Sequence, residues 1–236
     1  MPPFSTLATT LDAAAGLPAI VLAIVAAALL VIIADWRASL FMMQIFYLAL
    51  ALASLRLLPA EWAILRLLVG ALIGIMWYLS AYPINRDRGR RNQVIAVATA
   101  TQDRPAVRAK LLPRWPWLAT STTFRSVTVI MVSLGIFLTR AGVALPGLSA
   151  EADFLCLWLT AMGLLALALD EEPFKAGMGL LMWLAAVQIF YGNLTHDARM
   201  IGVIGALELL VGLACAYLMV ARATLIGAAP EQESRP

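Results

Sequence analysis

The chain has 236 residues, of which 62% are hydrophobic and 13% charged, with a net charge of +3. Soluble domains run near half apolar and a quarter charged, so a water-soluble globule of this composition would have to expose a mostly apolar surface to water. Nucleic-acid binding is excluded as a first reading too, because the charge is modest and the basic residues gather in one stretch. Cys156 and Cys215 lie inside apolar runs, which points away from a disulfide framework or a thiolate metal site.

These features define an all-α, polytopic membrane protein. A bilayer core of about 30 Å needs about 20 apolar residues in helix. That ruler predicts seven transmembrane helices, over 17–34, 38–57, 62–82, 123–143, 152–169, 173–192 and 199–222. A sheet would leave backbone groups unpaired in lipid unless closed, and the alternating short segments of a barrel are not seen.

Taken in order, the first span follows 16 residues without Lys or Arg, so no signal-peptide n-region precedes it and a retained helix is expected. Asp35-Trp36-Arg37 and Pro59-Ala60-Glu61 break the first three spans, which form an N-terminal unit over 1–82. Residues 83–122 are polar, contain Pro83, Pro105, Pro113 and Pro116, and read as a basic cytoplasmic loop. Within that loop, residues 92–101 are open to either a surface helix or a strand, and Trp115 and Trp117 read as interfacial anchors. A linker helix is expected within 123–150, a second three-helix unit over 151–225, and a disordered tail over 226–236. The short turn at 170–172 makes the fifth and sixth spans an antiparallel hairpin, with Pro173 in a first turn where its missing N–H costs nothing.

Lys and Arg set the orientation. If 83–122 is cytoplasmic, that side receives 13 of the 17 basic residues, and only Arg56, Arg66, Arg140 and Arg199 fall on or toward the other. The positive-inside rule then puts the N terminus outside and the C terminus in the cytoplasm. A parallel 3+1+3 repeat is also visible. Residues 63–70, Ala-Ile-Leu-Arg-Leu-Leu-Val-Gly, match 205–212, Gly-Ala-Leu-Glu-Leu-Leu-Val-Gly, at five of eight positions, with opposite charges at Arg66 and Glu208. Gln-Ile-Phe-Tyr occurs at both 44–47 and 188–191.

Glu208 lies near the middle of its span, where a carboxylate costs at least about 2.5 kcal/mol to insert. Such residues face the bundle interior, where they pair or carry protons. Arg66 is its natural partner, since a long side chain can reach along the third helix. Two readings stand level: a proton path through Glu208 and Arg66, or an ion pair that merely holds helices together. Asp170, Glu171, Glu172 and Lys175 read first as a solvated cytoplasmic turn, and second as a proton entrance or partner contact. His196 and Asp197 read as surface residues, and one histidine builds neither a metal site nor paired haem ligation. Arg56 and Arg140 near span ends are accounted for by snorkelling. No Ser–His–Asp set, paired-carboxylate motif or Gly-rich phosphate loop occurs, so no catalytic site and no cofactor is expected.

Residues 152–222 carry a further pattern. An apolar stretch, Leu164-Leu165-Ala166-Leu167-Ala168-Leu169, meets the turn 170–175, then Gly179-Leu180-Leu181-Met182-Trp183-Leu184-Ala185-Ala186-Val187-Gln188, and later Ala206-Leu207-Glu208-Leu209-Leu210-Val211-Gly212-Leu213-Ala214. This resembles the three-helix K-type subunit of respiratory complex I, the C subunit of multi-subunit cation/proton antiporters and the E component of energy-conserving membrane hydrogenases. The resemblance covers about the last third of the chain, and the seven-span length is closest to the hydrogenase component. It implies a subunit of a complex I-like or antiporter-like ion-translocating assembly in a bacterial-type inner membrane. Glu208 would then lie on the proton path, and redox chemistry would belong to other chains. The family's second membrane carboxylate falls at Leu181, so the resemblance supplies only one. Implied partners are other membrane subunits, lipid, and a cytoplasmic subunit at the basic loop. The alternative is a scaffolding subunit in which Glu208 and Arg66 only pair; a third reading is a stand-alone transporter with a site between the repeat halves.

Overall fold

The computed structural model describes residues 16–55, 60–101, 122–139, 148–170, 172–195 and 198–232, with side chains except at 60, 61, 83–101, 195, 198 and 225–232. Seven helices account for almost all of them, and no strand occurs among the described residues. In chain order they are α1 (Leu17–Ile32), α2 (Trp36–Ser54), α3 (Ala60–Thr101), α4 (Thr122–Thr139), α5 (Ala150–Leu169), α6 (Pro173–Thr195) and α7 (Ala198–Gln232). Helices α2 to α7 each contain a stretch long and apolar enough to cross a membrane; α1, with 16 residues, is shorter.

Local chemistry explains the helix ends and the polar residues within them. Proline occupies the first turn of α1, where it sacrifices no helical bond. Ser149 caps α5 by accepting from the Ala152 N–H, and Glu151 and Asp153 in the first turn complement the helix dipole. Inside the spans, Ser54, Ser80, Ser133 and Thr160 return their hydroxyls to the carbonyl four residues back, which satisfies them without a partner from lipid.

Six helices form a closed ring in the order α1–α2–α3–α7–α6–α5, and α4 leans on the outside against α1 and α5. Direction follows from the cross-helix contacts. Arg66 early in α3 meets Ser54 late in α2, so these run antiparallel. Gly205 lies against Val69 and Gly212 against Ile73, so α3 and α7 run parallel. The α5–α6 hairpin is tight because glycine faces glycine: a Cβ at Gly163 would lie 2.7 Å from the Gly179 carbonyl oxygen, and the converse is also 2.7 Å. Two indole N–H groups stitch the seams where the first and last three helices meet. Trp77 donates to Gly212 O at 2.8 Å across α3–α7, and Trp158 to Ile24 O at 3.1 Å across α5–α1. The centre is filled by Met43, Phe46, Tyr47, Leu50, Ile73, Trp77, Leu159, Met162, Met178, Leu181 and Met182, each 2% exposed or less.

Two boundaries differ from expectation. Residues 83–101 continue α3 as helix, which resolves the choice at 92–101, where no proline intervenes before Pro105. Helix α7 continues to Gln232, into the tail expected to be disordered. The rest of the basic stretch, with Trp115 and Trp117, lies outside the described residues, as do Arg56, Arg140, His196 and Asp197.

Candidate functional site: a buried carboxylate and guanidinium between α2, α3 and α7

Glu208 lies about 15 Å along α7 and Arg66 about 9 Å along α3, counted from starts on the same side of the bundle. Both are enclosed, at 1% and 6% exposure. Helix α2 supplies the third wall. There the Tyr47 hydroxyl donates to Glu208 Oε2 over a long 3.4 Å, and Arg66 Nη1 donates to Ser54 Oγ at 3.2 Å. Ser54 in turn donates to Leu50 O at 2.7 Å. Tyr47 reaches the carboxylate because Gly70 has no side chain; a Cβ at that position would collide with the tyrosine ring.

The bonds left unmade matter more. Glu208 Oε1 and the Nε and Nη2 atoms of Arg66 have no hydrogen-bond partner, and no ion pair joins the two residues. They are near enough for each charge to act on the other. Direct pairing of Arg66 with Glu208, the natural expectation from the sequence, is therefore not what the side chains do. A further unpartnered atom belongs to Gln188 on α6, whose Oε1 is buried without a bond. Gly177 on α6 lies against Cys215 on the antiparallel α7, so Gln188 falls near the level of Ile204, about one helical turn from Glu208.

The turn after α5 is a different site. Lys175 is 4% exposed, and its Nζ donates to Leu30 O at 3.0 Å, to Ser39 Oγ at 2.8 Å and to Ile33 O. Arg125 on α4 forks onto Asp170 with bonds of 2.5 and 2.7 Å and also donates to Val31 O at 3.3 Å. Two cations thus cap the carbonyls at the end of α1, where both the free acceptors and the helix dipole favour positive charge. For Lys175 and Asp170 this corrects the expected solvated turn: the lysine is buried and the aspartate is half-buried in an ion pair. Glu172 is exposed, and Glu171 lies outside the described residues.

Tyr47, Ser54 and Gln188 are the site residues that the sequence reading did not single out. For Tyr47 and Gln188 the signal was the repeated Gln-Ile-Phe-Tyr, which places an amide and a phenol in mid-span; Ser54 carries no such signal. Its two copies differ in setting: Tyr47 is buried on the carboxylate, whereas Tyr191 is 38% exposed. Leu181 is fully enclosed in the core. No group of three or more His, Cys, Asp or Glu that could hold a metal occurs among the described residues.

The fold defines a multi-pass helical membrane protein with ionisable groups enclosed in its bundle. No protein-family model, curated protein or solved structure matches the chain.

Proposed function

We infer that the protein is a membrane subunit of a complex I-like or antiporter-like ion-translocating assembly in which Glu208 carries a proton (or takes Na⁺) between the two sides. One observation carries this reading. A carboxylate and a guanidinium are enclosed side by side, yet each keeps polar atoms unpartnered. A structural ion pair repays its desolvation only when contact is close and the remaining hydrogen-bonding sites are filled. A group that loads and unloads must keep a free acceptor, and Glu208 Oε1 is one. In this scheme Arg66 balances the charged state of Glu208, Tyr47 holds its other oxygen, and Gln188 offers a further polar atom about one turn away.

All seven helices then cross the membrane, with the N terminus outside and the C terminus and basic stretch in the cytoplasm, where a soluble partner would bind. The last three helices act as the K-like unit, and redox chemistry belongs to other subunits of the assembly. The localisation that goes with this reading is a bacterial-type inner membrane.

The test is Glu208→Gln in the protein purified in mild detergent with its copurifying chains and reconstituted into vesicles enclosing a pH-sensitive dye. Proton flux should be lost while the set of copurifying chains stays the same. Flux at the wild-type rate removes the proton role. The scaffolding reading makes a contrary forecast: Glu208→Arg and Arg66→Glu should each disrupt assembly, and the double reversal should restore both assembly and function.

A further inference from the structure

A groove of about 630 Å³ lies on the outer surface between α2 and α3 and, unlike the enclosed Glu208 site, is open. Its walls are Leu40, Phe41, Ala71, Ile75 and Leu79, with Gln44 and Gly74 at its floor. Phe41, Ile75 and Leu79 are 64%, 58% and 66% exposed, so the groove opens outward, where a membrane-spanning helix meets acyl chains. The Gln44 amide is turned inward onto Gly70 O at 3.1 Å, which keeps the walls apolar.

One end of the groove is of another character. Arg37, the second residue of α2, is exposed there, with its guanidinium 5.3 Å from the Trp36 ring. Trp36 contacts Tyr78, and Tyr78 contacts Tyr82, at ring separations of 6.2 and 5.8 Å. Trp and Tyr gather at the headgroup level of membranes, so this cluster sets the depth of Arg37 at the phosphates. Among the described residues no carboxylate forms an ion pair with Arg37, Asp35 included. Past Tyr82 the same helix continues through Arg86, Asp87, Arg88, Arg90 and Arg91, a stretch of net positive charge in the sequence. From Arg37 to Gln44 the groove runs about 10 Å into the bilayer.

The geometry points to a binding site for an anionic phospholipid, with the headgroup phosphate on Arg37 and an acyl chain lying between Phe41, Ile75 and Leu79 over the gap left by Ala71 and Gly74. The combination of a cation at phosphate depth with an apolar channel beneath it selects a lipid over a soluble anion, which has no use for the channel. It also selects an anionic lipid over a zwitterionic one, whose own ammonium group competes for the phosphate.

The experiment uses the full chain in phosphatidylcholine nanodiscs doped with chain-labelled phosphatidylglycerol or chain-labelled phosphatidylcholine. It reads the immobilised fraction of each label by electron paramagnetic resonance. The wild type should immobilise phosphatidylglycerol preferentially. Arg37→Gln should lower that preference about fivefold, the scale of one basic residue at a membrane surface, and Arg37→Lys should retain most of it. Filling the groove with Ala71→Phe should reduce the immobilised phosphatidylglycerol, while the melting temperature in detergent reports whether the bundle survives. A wild type without preference overturns the site. So does an Arg37→Gln protein with the wild-type preference, or one that loses both lipids equally.

Discussion

Two clusters of charge are enclosed in this bundle, and they are built on opposite principles. At the end of α1, Lys175 has three acceptors within reach and Arg125 is forked onto Asp170, which leaves only the Arg125 Nε without a partner. Between α2, α3 and α7, Glu208 and Arg66 are as deeply enclosed but stand apart, each with an orphan atom. The first arrangement is what burial demands of a charge that holds helices together. The second keeps capacity in reserve. Burial alone therefore does not separate a strut from a working group; contact between the opposite charges does.

The largest effect that would break this contrast is expected at the first cluster. Asp170→Asn removes the counter-charge of Arg125, and losing one partner of a buried pair costs about 3–5 kcal/mol. Thermal unfolding in detergent should drop steeply, and a variant with the wild-type midpoint would show that the pair is idle. Next in size is the glycine seam. Gly163→Leu would drive a side chain into the Gly179 backbone, and overpacking of this kind costs about 1–3 kcal/mol. Crosslinking between cysteines introduced on α5 and α6 would report the opening of the hairpin.

A smaller loss belongs to Tyr47→Phe, which deletes a single long bond to Glu208 and should cost about 1 kcal/mol at most. Its flux should fall part-way between wild type and Glu208→Gln; flux equal to wild type would leave the phenol with packing alone. The smallest stability change sharpens the contrast from the other side. Glu208→Gln should leave the melting midpoint nearly unchanged or raise it, because a neutral amide replaces a poorly bonded charge of the same size. A fall as large as that of Asp170→Asn would put the two clusters in one class and end the distinction.

How much of this could be read from residue order differs between fold and site. The helices were legible because lipid imposes a length and a composition on anything that crosses it. The placements of α2 to α7 follow the sequence reading to within a few residues, apart from the extensions of α3 and α7. Those extensions were missed because polar helix and polar loop share a composition. Glu208 and Arg66 stood out as charges in apolar surroundings, and both are enclosed. Their failure to touch was not legible, since it depends on the rotation of α3 against α7 and on Tyr47 entering beside Gly70. Lys175 and Asp170 misled for a related reason. Placed beside Glu171 and Glu172 they look like a wet turn, and the carbonyls that Lys175 caps lie more than 140 positions earlier in the chain.

That long reach bears on how the molecule is made. The last turn of α1 emerges from the ribosome with its terminal carbonyls bare, and Arg125 and Lys175 follow 94 and 145 residues behind the positions they cap. At about 5–20 residues per second, α1 waits roughly 7–30 s for both. During that interval the segment must be sheltered by the insertion machinery or held at the water boundary, so its final seating is a late step of biogenesis, governed by synthesis of the sixth helix.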